Sequence, residues 1–161
     1  MPIRDITKDL DALTMTAVCE FAAPATRVWQ VWADPRQLER WWGPPDWPAT
    51  FTSHEFAAGG RATYVMHGPD GDTAGGWWRF VAVEAPTRIE IEEGFADADG
   101  TPDESMPVTP FTVTFVEVDG VTTMTITWRF PDLATVEQFT AMGMDSGIRS
   151  ALAQVDDVLA A

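Results

Sequence analysis

The hydrophobic pattern of this chain changes its period once, near residue 131. Before that point, apolar and polar residues alternate in short runs that end at turn signals such as Asp119-Gly120. A period of two is typical of strands with one buried face, and an Asp-Gly pair favours a tight hairpin. After Pro131, apolar residues recur every three or four positions over residues 133–160. The pattern therefore predicts antiparallel strands followed by one long C-terminal helix, which is an α+β arrangement.

The alternating runs predict a first strand over residues 14–21 and six more in meander order after residue 48. Between them, Pro24 suits the first turn of a helix, where its missing N–H costs nothing. Asp34-Pro35 ends that helix and begins a second short one. Residues 1–13 are polar without a strong period and are interpreted as an arm, which leaves one domain over residues 14–161. The later strands are expected near 49–56, 62–66, 77–83, 88–95, 108–118 and 121–130.

Composition excludes several classes of function. The chain has 161 residues, and its 25 acidic against 10 basic side chains give a net charge of −15. Nucleic-acid binders need a basic surface against phosphate, and anionic membranes repel such a protein, so neither partner is expected. No apolar run of 18 residues exists, and residues 1–10 lack the apolar core of a signal peptide. We expect a cytoplasmic protein whose acidity serves solubility.

The region of the two short helices carries ordered motifs that resemble a known family. They are Phe21-x-Ala23-Pro24, Val28-Trp29-x-x-Trp32, Asp34-Pro35-x-x-Leu38 and Trp41-Trp42-Gly43-Pro44. Later landmarks are Gly59-Gly60-Arg61, His67-Gly68-Pro69-Asp70-Gly71, Glu84-Ala85-Pro86 and Gly143-Met144-x-x-Gly147. Over about residues 14–160, this order resembles the family named after the activator of the heat-shock protein 90 ATPase, within the START-like (SRPBCC) superfamily.

The resemblance implies the helix-grip fold, in which a curved antiparallel sheet of six or seven strands wraps around a long C-terminal helix. It also implies that an apolar small molecule is held between helix and sheet. Two positions depart from the family pattern. Ala57 stands where relatives often carry a basic residue, and Ile148 stands where they often carry tryptophan. Both changes could alter the pocket, so the ligand of a relative does not transfer to this chain.

Candidate ligand-binding residues are aromatic, methionine and glycine side chains expected around that cavity. Trp41 and Trp42 either close a core corner or touch a ligand; as neighbours, they cannot point the same way. Gly143 and Gly147 are four apart on one predicted helix face, where each costs about 1 kcal/mol relative to alanine. Either the sheet or a ligand must approach them closely. The full candidate set is Trp41, Trp42, Tyr64, Met66, Trp78, Phe80, Phe95, Phe111, Met142, Gly143, Met144 and Gly147.

Polar chemistry is sparse in the pattern. The two histidines, His54 and His67, fall in different strands and lack metal-ligand spacing, so neither a metal nor a cofactor is expected. The strand phase of Cys19 places it in the core, where a thiol is inert. Glu55, Glu90, Glu92, Arg79 and Asp145 could serve as acids or bases, but their phases favour solvated faces.

Three functions remain open. The leading hypothesis is binding of a small apolar molecule between helix and sheet. The alternative is an enzyme of the polyketide cyclase or hydrolase type, although no catalytic set is visible. A co-chaperone role is implied only by the family name. The phase of Trp78 with Phe80 predicts that Trp78 faces inward, and an exposed tryptophan at Trp47 or Trp77 would suit a homodimer face.

Overall fold

Backbone pairing joins eight strands into one antiparallel sheet in a computed structural model that describes residues 3–161. The order across the sheet is β1-β2-β8-β7-β6-β5-β4-β3, so the meander from β3 to β8 folds back beside β2. The strands are β1 Ile3–Asp9, β2 Thr14–Phe21, β3 Ala49–His54, β4 Arg61–His67, β5 Thr73–Glu84, β6 Arg88–Ala96, β7 Thr109–Val118 and β8 Val121–Arg129.

Within residues 3–161, five helices accompany the sheet, and their apolar residues join its buried side chains in one core. The two short helices follow β2 rather than the first strand of the sheet. Asp34 begins the second of them, because its carboxylate accepts a hydrogen bond from the backbone N–H of Arg36 at 2.9 Å. The helices are α1 Ala25–Ala33, α2 Pro35–Leu38, α3 Leu133–Ala141, α4 Met144–Leu152 and α5 Val155–Ala160.

Strand β1 corrects the interpretation of the first 13 residues as an arm. Residues 5–9 pair with residues 14–18 of β2, and the half-buried Ile3 and Ile6 pack against the core. Much of this edge strand faces solvent and is polar. It therefore lacks the apolar and polar alternation from which strands are predicted. With β1, the sheet has eight strands instead of the six or seven expected. Met1 and Pro2, also part of the predicted arm, lie outside the described residues.

The predicted long C-terminal helix is divided into three consecutive helices. Gly143 separates α3 from α4 with a φ of +83°, a left-handed conformation that glycine adopts without the penalty of a side chain. Its N–H donates to the carbonyl of Thr140 at 3.0 Å. The second break follows α4, where the side-chain amide of Gln154 donates to the carbonyl of Gly43 at 2.8 Å. The glycine at position 143 is therefore explained by the left-handed backbone conformation at this break, and not by the close approach of another group to a helix face.

Lys8 of β1 holds both sides of the break at Gly143. Its ammonium donates to the hydroxyl of Thr140 on α3 at 2.8 Å and lies 2.9 Å from the carboxylate of Asp145 on α4. The edge strand is thereby joined to the two helices that meet at this break.

Gly143→Ala is expected to destabilise the protein by about 1 kcal/mol, because alanine is strained in the left-handed conformation. Space is not the cause, since an added Cβ would meet only Ser146 Oγ, at 3.7 Å. Gly143→Asn is the matched control and should lose less, because asparagine tolerates this conformation. Urea unfolding measures both, and equal losses for alanine and asparagine would contradict the backbone explanation.

A cluster of tryptophans connects α1 and α2 to the sheet. The ring of Trp32 on α1 lies 4.8 Å from Trp41 and 5.9 Å from Trp42, each in edge-to-face geometry. Trp42 in turn lies 4.7 Å from Trp78 on β5, almost perpendicular to it. The segment after α2 is therefore fixed against the sheet, and this places Trp41 and Trp42 beside the C-terminal helices.

Candidate ligand-binding cavity

A cavity of about 280 Å³ lies between the sheet, the segment after α2, and helices α3 and α4. Aromatic and methionine side chains form most of its surface, and Phe139 of α3 contacts Phe95 of β6 across it with ring centres 5.8 Å apart. The lining residues are Trp41, Trp42, Pro44, Tyr64, Met66, Glu93, Phe95, Ile126, Trp128, Phe139, Met142, Gly143, Met144, Gly147, Ile148, Ala151 and Leu152.

Nine of the twelve candidate residues line this cavity, and three do not. Trp78, Phe80 and Phe111 are fully buried in the core instead. Trp42 explains two of these positions, because its ring packs edge-on against Trp78 and stacks on Phe111 with centres 6.0 Å apart. The inward strand phase of Trp78 and Phe80 is as predicted. The nine that line the cavity are Trp41, Trp42, Tyr64, Met66, Phe95, Met142, Gly143, Met144 and Gly147.

The adjacent tryptophans both reach the cavity, but in different ways. Trp41 is only 1% exposed, and its indole N–H donates to the carbonyl of Val31 at 2.9 Å. Trp42 is half-buried, and its indole nitrogen has no hydrogen-bond partner among residues 3–161. Trp41 is therefore fixed to the end of α1, whereas Trp42 is held by ring packing alone.

The two candidate glycines also differ. Gly147 is inside α4, and an added Cβ would meet only Pro44 Cγ, at 4.0 Å, so its open side faces the cavity and not the sheet. Gly143 is exposed beside Met142, which is itself 57% exposed while lining the cavity. Met142 and Gly143 therefore mark the solvent-facing edge of the cavity, at the break between α3 and α4.

Glu93 of β6 is the polar residue in the cavity that sequence reasoning missed. Its Oε2 accepts hydrogen bonds from the Tyr64 hydroxyl at 2.9 Å and from the Trp78 indole N–H at 2.7 Å. The available signal was strand phase, because Glu93 alternates with Ile91 and Phe95 on the inward face. Its position on the inward face distinguishes Glu93 from Glu90 and Glu92, which face outward.

The register of the sheet brings these three polar groups together. Trp78 is paired with Glu93 across β5 and β6, and Tyr64 is paired with Gly76 across β4 and β5. Gly76 has no side chain, and a Cβ there would overlap the Tyr64 phenol. The tyrosine ring therefore crosses Gly76 to reach the carboxyl of Glu93.

Burial makes ionisation of this group unfavourable. It raises the pKa of Glu93 above its ordinary value, and the hydrogen bonds from Trp78 and Tyr64 oppose that rise. Burial also raises the pKa of Tyr64 well above 10, and the nearby charge of Glu93 adds to the effect. Tyr64 consequently stays protonated and donates its hydrogen bond at neutral pH.

Glu93→Gln is expected to flatten the dependence of stability on pH. Between the ordinary pKa of about 4.5 and the raised pKa of the folded state, only the unfolded chain releases the proton. Stability of the native protein therefore falls as pH rises through that window, by up to about 1.4 kcal/mol per pH unit. The glutamine oxygen can still accept from Tyr64 and Trp78, so the variant should be the more stable protein above the window.

Urea unfolding between about pH 4.5 and pH 8 measures this difference. Glu92→Gln serves as the control, because it makes the same substitution on the outer face of the same strand, where Glu92 pairs with Arg79. A parallel pH profile for Glu93→Gln and the native protein would contradict a raised pKa of Glu93.

The other acids and bases considered from the sequence lie outside the cavity. Arg88 pairs with Glu90 at 2.9 Å, Glu92 pairs with Arg79, and Glu55 is exposed. Asp145 is held by Lys8, as described above. No catalytic set forms among these residues.

Sulfur and imidazole groups are likewise unsuited to catalysis here. Burial raises the pKa of the Cys19 thiol to about 12. His54 lies 3.1 Å from the carbonyl of Trp32, and burial lowers its pKa, so its neutral ring donates that hydrogen bond. Within residues 3–161, no three His, Cys, Asp or Glu side chains converge as a metal site would require.

Trp47 and Trp77 are half-buried by neighbouring glycines. The Trp77 ring lies over Gly94, and the Trp47 ring lies over Gly68. Neither is the fully exposed tryptophan that would suit a dimer face, and a homodimer stays a prediction. None of the helices in residues 3–161 combines the length and apolar character needed to cross a bilayer.

Comparison with known proteins places the chain in a family. Residues 22–160 match the family model described as Activator of Hsp90 ATPase homolog 1-like protein. The chain belongs to this family. As the sequence motifs predicted, this family member has the α+β helix-grip fold. No curated protein matches it significantly.

Solved structures of bacterial proteins are similar to this family member over nearly its whole length. A crystal structure from Mycobacterium smegmatis is 45% identical, covers 98% of this chain and 97% of its own, and has a TM-score of 0.91. A solution structure from Arthrobacter aurescens is 48% identical, with 98% and 91% coverage and a TM-score of 0.93. A solution structure from Staphylococcus epidermidis is 30% identical, with 99% and 93% coverage and a TM-score of 0.81.

The two departures from the common family pattern fall in different places. Ile148 lines the cavity, so the absence of a tryptophan there affects its shape. Ala57 is exposed and does not line the cavity.

Proposed function

We propose that this protein binds a small, mainly apolar molecule in the cavity between the sheet and helices α3 and α4. The observation that carries the proposal is a volume of about 280 Å³ enclosed by aromatic, aliphatic and methionine side chains. Binding sites for small molecules are typically concave and apolar with few polar groups. This cavity has that composition, with Glu93 and Tyr64 as its ionisable groups.

The side chains that form the cavity walls can adapt to apolar ligands of different shapes. Met66, Met142 and Met144 are unbranched and polarizable, so they adapt to irregular surfaces. Trp41, Trp42 and Trp128 supply large, flat contact areas. The combination of rigid aromatic and flexible methionine walls favours a compact apolar skeleton over an ion.

The test is titration with an uncharged apolar fluorophore, N-phenyl-1-naphthylamine, with probe emission and intrinsic tryptophan quenching read together. The three tryptophans in the walls should make quenching follow occupancy. We expect saturable binding at one site that is strongly weakened when Gly147→Leu fills the cavity. Absence of saturation, or saturation unchanged by Gly147→Leu, would contradict the proposal.

Glu93 favours a second candidate, an enzyme of the polyketide cyclase or hydrolase type. A carboxyl whose pKa is raised by burial inside a cavity is suited to general acid or base chemistry. This candidate requires turnover of an apolar substrate. Glu93→Gln should then lower the rate by about 100-fold or more while the probe still binds; binding without any turnover supports the first candidate.

A further inference from the structure

A second, smaller cavity of about 120 Å³ adjoins the main one and shares part of its wall. Five residues line both cavities: Tyr64, Met66, Glu93, Phe95 and Phe139. Thr109 lines only the smaller cavity. Glu93 therefore lies where the two cavities meet.

Thr109 carries a hydroxyl that the fold leaves unused. The residue is only 3% exposed, and its Oγ1 has no hydrogen-bond partner among residues 3–161. A buried hydroxyl without a hydrogen-bond partner lowers the stability of the folded protein, because it loses its hydrogen bonds to water and gains none in the protein. Thr109 begins β7 and is paired with Glu93 of β6. Directly opposed residues have Cβ atoms about 4.5–5.5 Å apart, so the two side chains are neighbours.

Glu93 also has unused hydrogen-bonding capacity. Its Oε2 accepts from both Tyr64 and Trp78, whereas its Oε1 makes no hydrogen bond with any of the residues described. The smaller cavity is thus lined by two residues, Glu93 and Thr109, that each carry an oxygen without a hydrogen-bond partner among the residues described.

We propose that the smaller cavity is a polar subsite for the ligand, in which Glu93 and Thr109 bind an uncharged hydroxyl group. The ligand hydroxyl donates to Glu93 Oε1 and accepts from Thr109 Oγ1. The apolar part of the same molecule occupies the main cavity. This inference rests on the proposed binding function and narrows its ligand to apolar alcohols and phenols.

The chemistry of the two groups disfavours a charged or a purely hydrocarbon end group. At a pH where Glu93 is ionised, a carboxylate ligand would bring a second negative charge beside it in a desolvated site. A hydrocarbon end would leave Glu93 and Thr109 without partners. A hydroxyl both donates and accepts, so it satisfies both groups at once.

The experiment compares three probes on one ring system: 2-naphthol, 2-methylnaphthalene and 2-naphthoate. Each is titrated into the full-length protein, with tryptophan fluorescence and calorimetry as readouts. We expect 2-naphthol to bind about tenfold more tightly than 2-methylnaphthalene, which is about one good hydrogen bond. We expect 2-naphthoate to bind more weakly than either.

Thr109→Val removes only the hydroxyl and should bring the affinity ratio of 2-naphthol to 2-methylnaphthalene close to one. The protein should fold and gain stability, since the lost hydroxyl had no partner, and the affinity for 2-methylnaphthalene should change much less than the affinity for 2-naphthol. Thr114→Val, on the opposite face of the same strand, is the control and should keep the tenfold ratio.

The possible failures are distinguishable. Equal binding of 2-naphthol and 2-methylnaphthalene, tightest binding of 2-naphthoate, or a ratio unaffected by Thr109→Val would each overturn the subsite while leaving the binding function standing. If none of the three probes binds, the proposed function itself is wrong.

Discussion

Gly147→Leu is expected to weaken binding of the apolar probe strongly while making the protein more stable. Gly147 is inside α4, where replacing glycine with a good helix former gains about 1 kcal/mol. The only atom near an added Cβ is Pro44 Cγ, at 4.0 Å, so a leucine side chain extends into the cavity without a clash. It would occupy the volume that the ligand needs. We expect affinity to fall by about 100-fold, equivalent to about 2.7 kcal/mol.

Gly147→Ala separates the two effects. Alanine gains the helix stability but adds a single methyl group, so probe affinity should stay within about threefold of the native value, or about 0.7 kcal/mol. Urea unfolding gives the stabilities, and fluorescence titration gives the affinities. Full affinity in a folded Gly147→Leu protein would show that the probe binds elsewhere.

Trp41→Ala is expected to cost about 3–5 kcal/mol of stability, the range for removing a large buried aromatic side chain. The side chain is almost fully buried against Trp32 and lines the cavity. Its indole N–H also donates to the carbonyl of Val31 in the last turn of α1, where helical carbonyls lack partners within the helix. Both the packing and this hydrogen bond are lost in the variant.

Trp42→Phe is the matched comparison at the neighbouring position. Its indole nitrogen has no partner among residues 3–161, so phenylalanine loses ring area but no hydrogen bond. We expect a loss of about 1 kcal/mol or less and a change in probe affinity, because Trp42 lines the cavity. Thermal or urea unfolding ranks the two variants. A greater loss for Trp42→Phe than for Trp41→Ala would contradict the different roles assigned to them.

Local patterns predicted most of the sheet. The alternation from residue 14 to 21 gives β2 with its observed bounds, and Asp119-Gly120 forms the turn between β7 and β8. Both signals depend on neighbouring residues only. The phase of Trp78 is of the same kind, because alternation with Phe80 decides which face each side chain occupies.

Features that depend on contacts between residues far apart in the sequence could not be predicted from local patterns. Strand β1 exists through its pairing with β2, and its polar edge gives no alternation. The path of the backbone at Gly143 depends on where α3 must end relative to the sheet. Phe111 was among the residues expected around the cavity, but the sequence could not show that Trp42 stacks on it.

Glu93 shows how a polar cavity-lining side chain can be missed within a correctly predicted strand. The phases of Glu90 and Glu92 predict a solvated face, and Glu93 is not among the acids considered from the sequence. Glu93 shares its inward phase with Ile91, and this phase predicts a buried side chain. Its partners Tyr64 and Trp78 come from two other strands, so their convergence follows from register rather than from spacing.

The contacts of Lys8 have a consequence for the order in which the protein matures during synthesis. Lys8 and Thr140 are 132 residues apart in sequence, yet their side chains are in direct contact. On a ribosome, β1 is made long before α3 and α4, and contacts at such separation are among the slowest to form. The edge of the cavity at Gly143 can be fixed only after residue 145 has emerged. All eight strands, which end at residue 129, are therefore synthesised before the edge of the cavity at Gly143 can form.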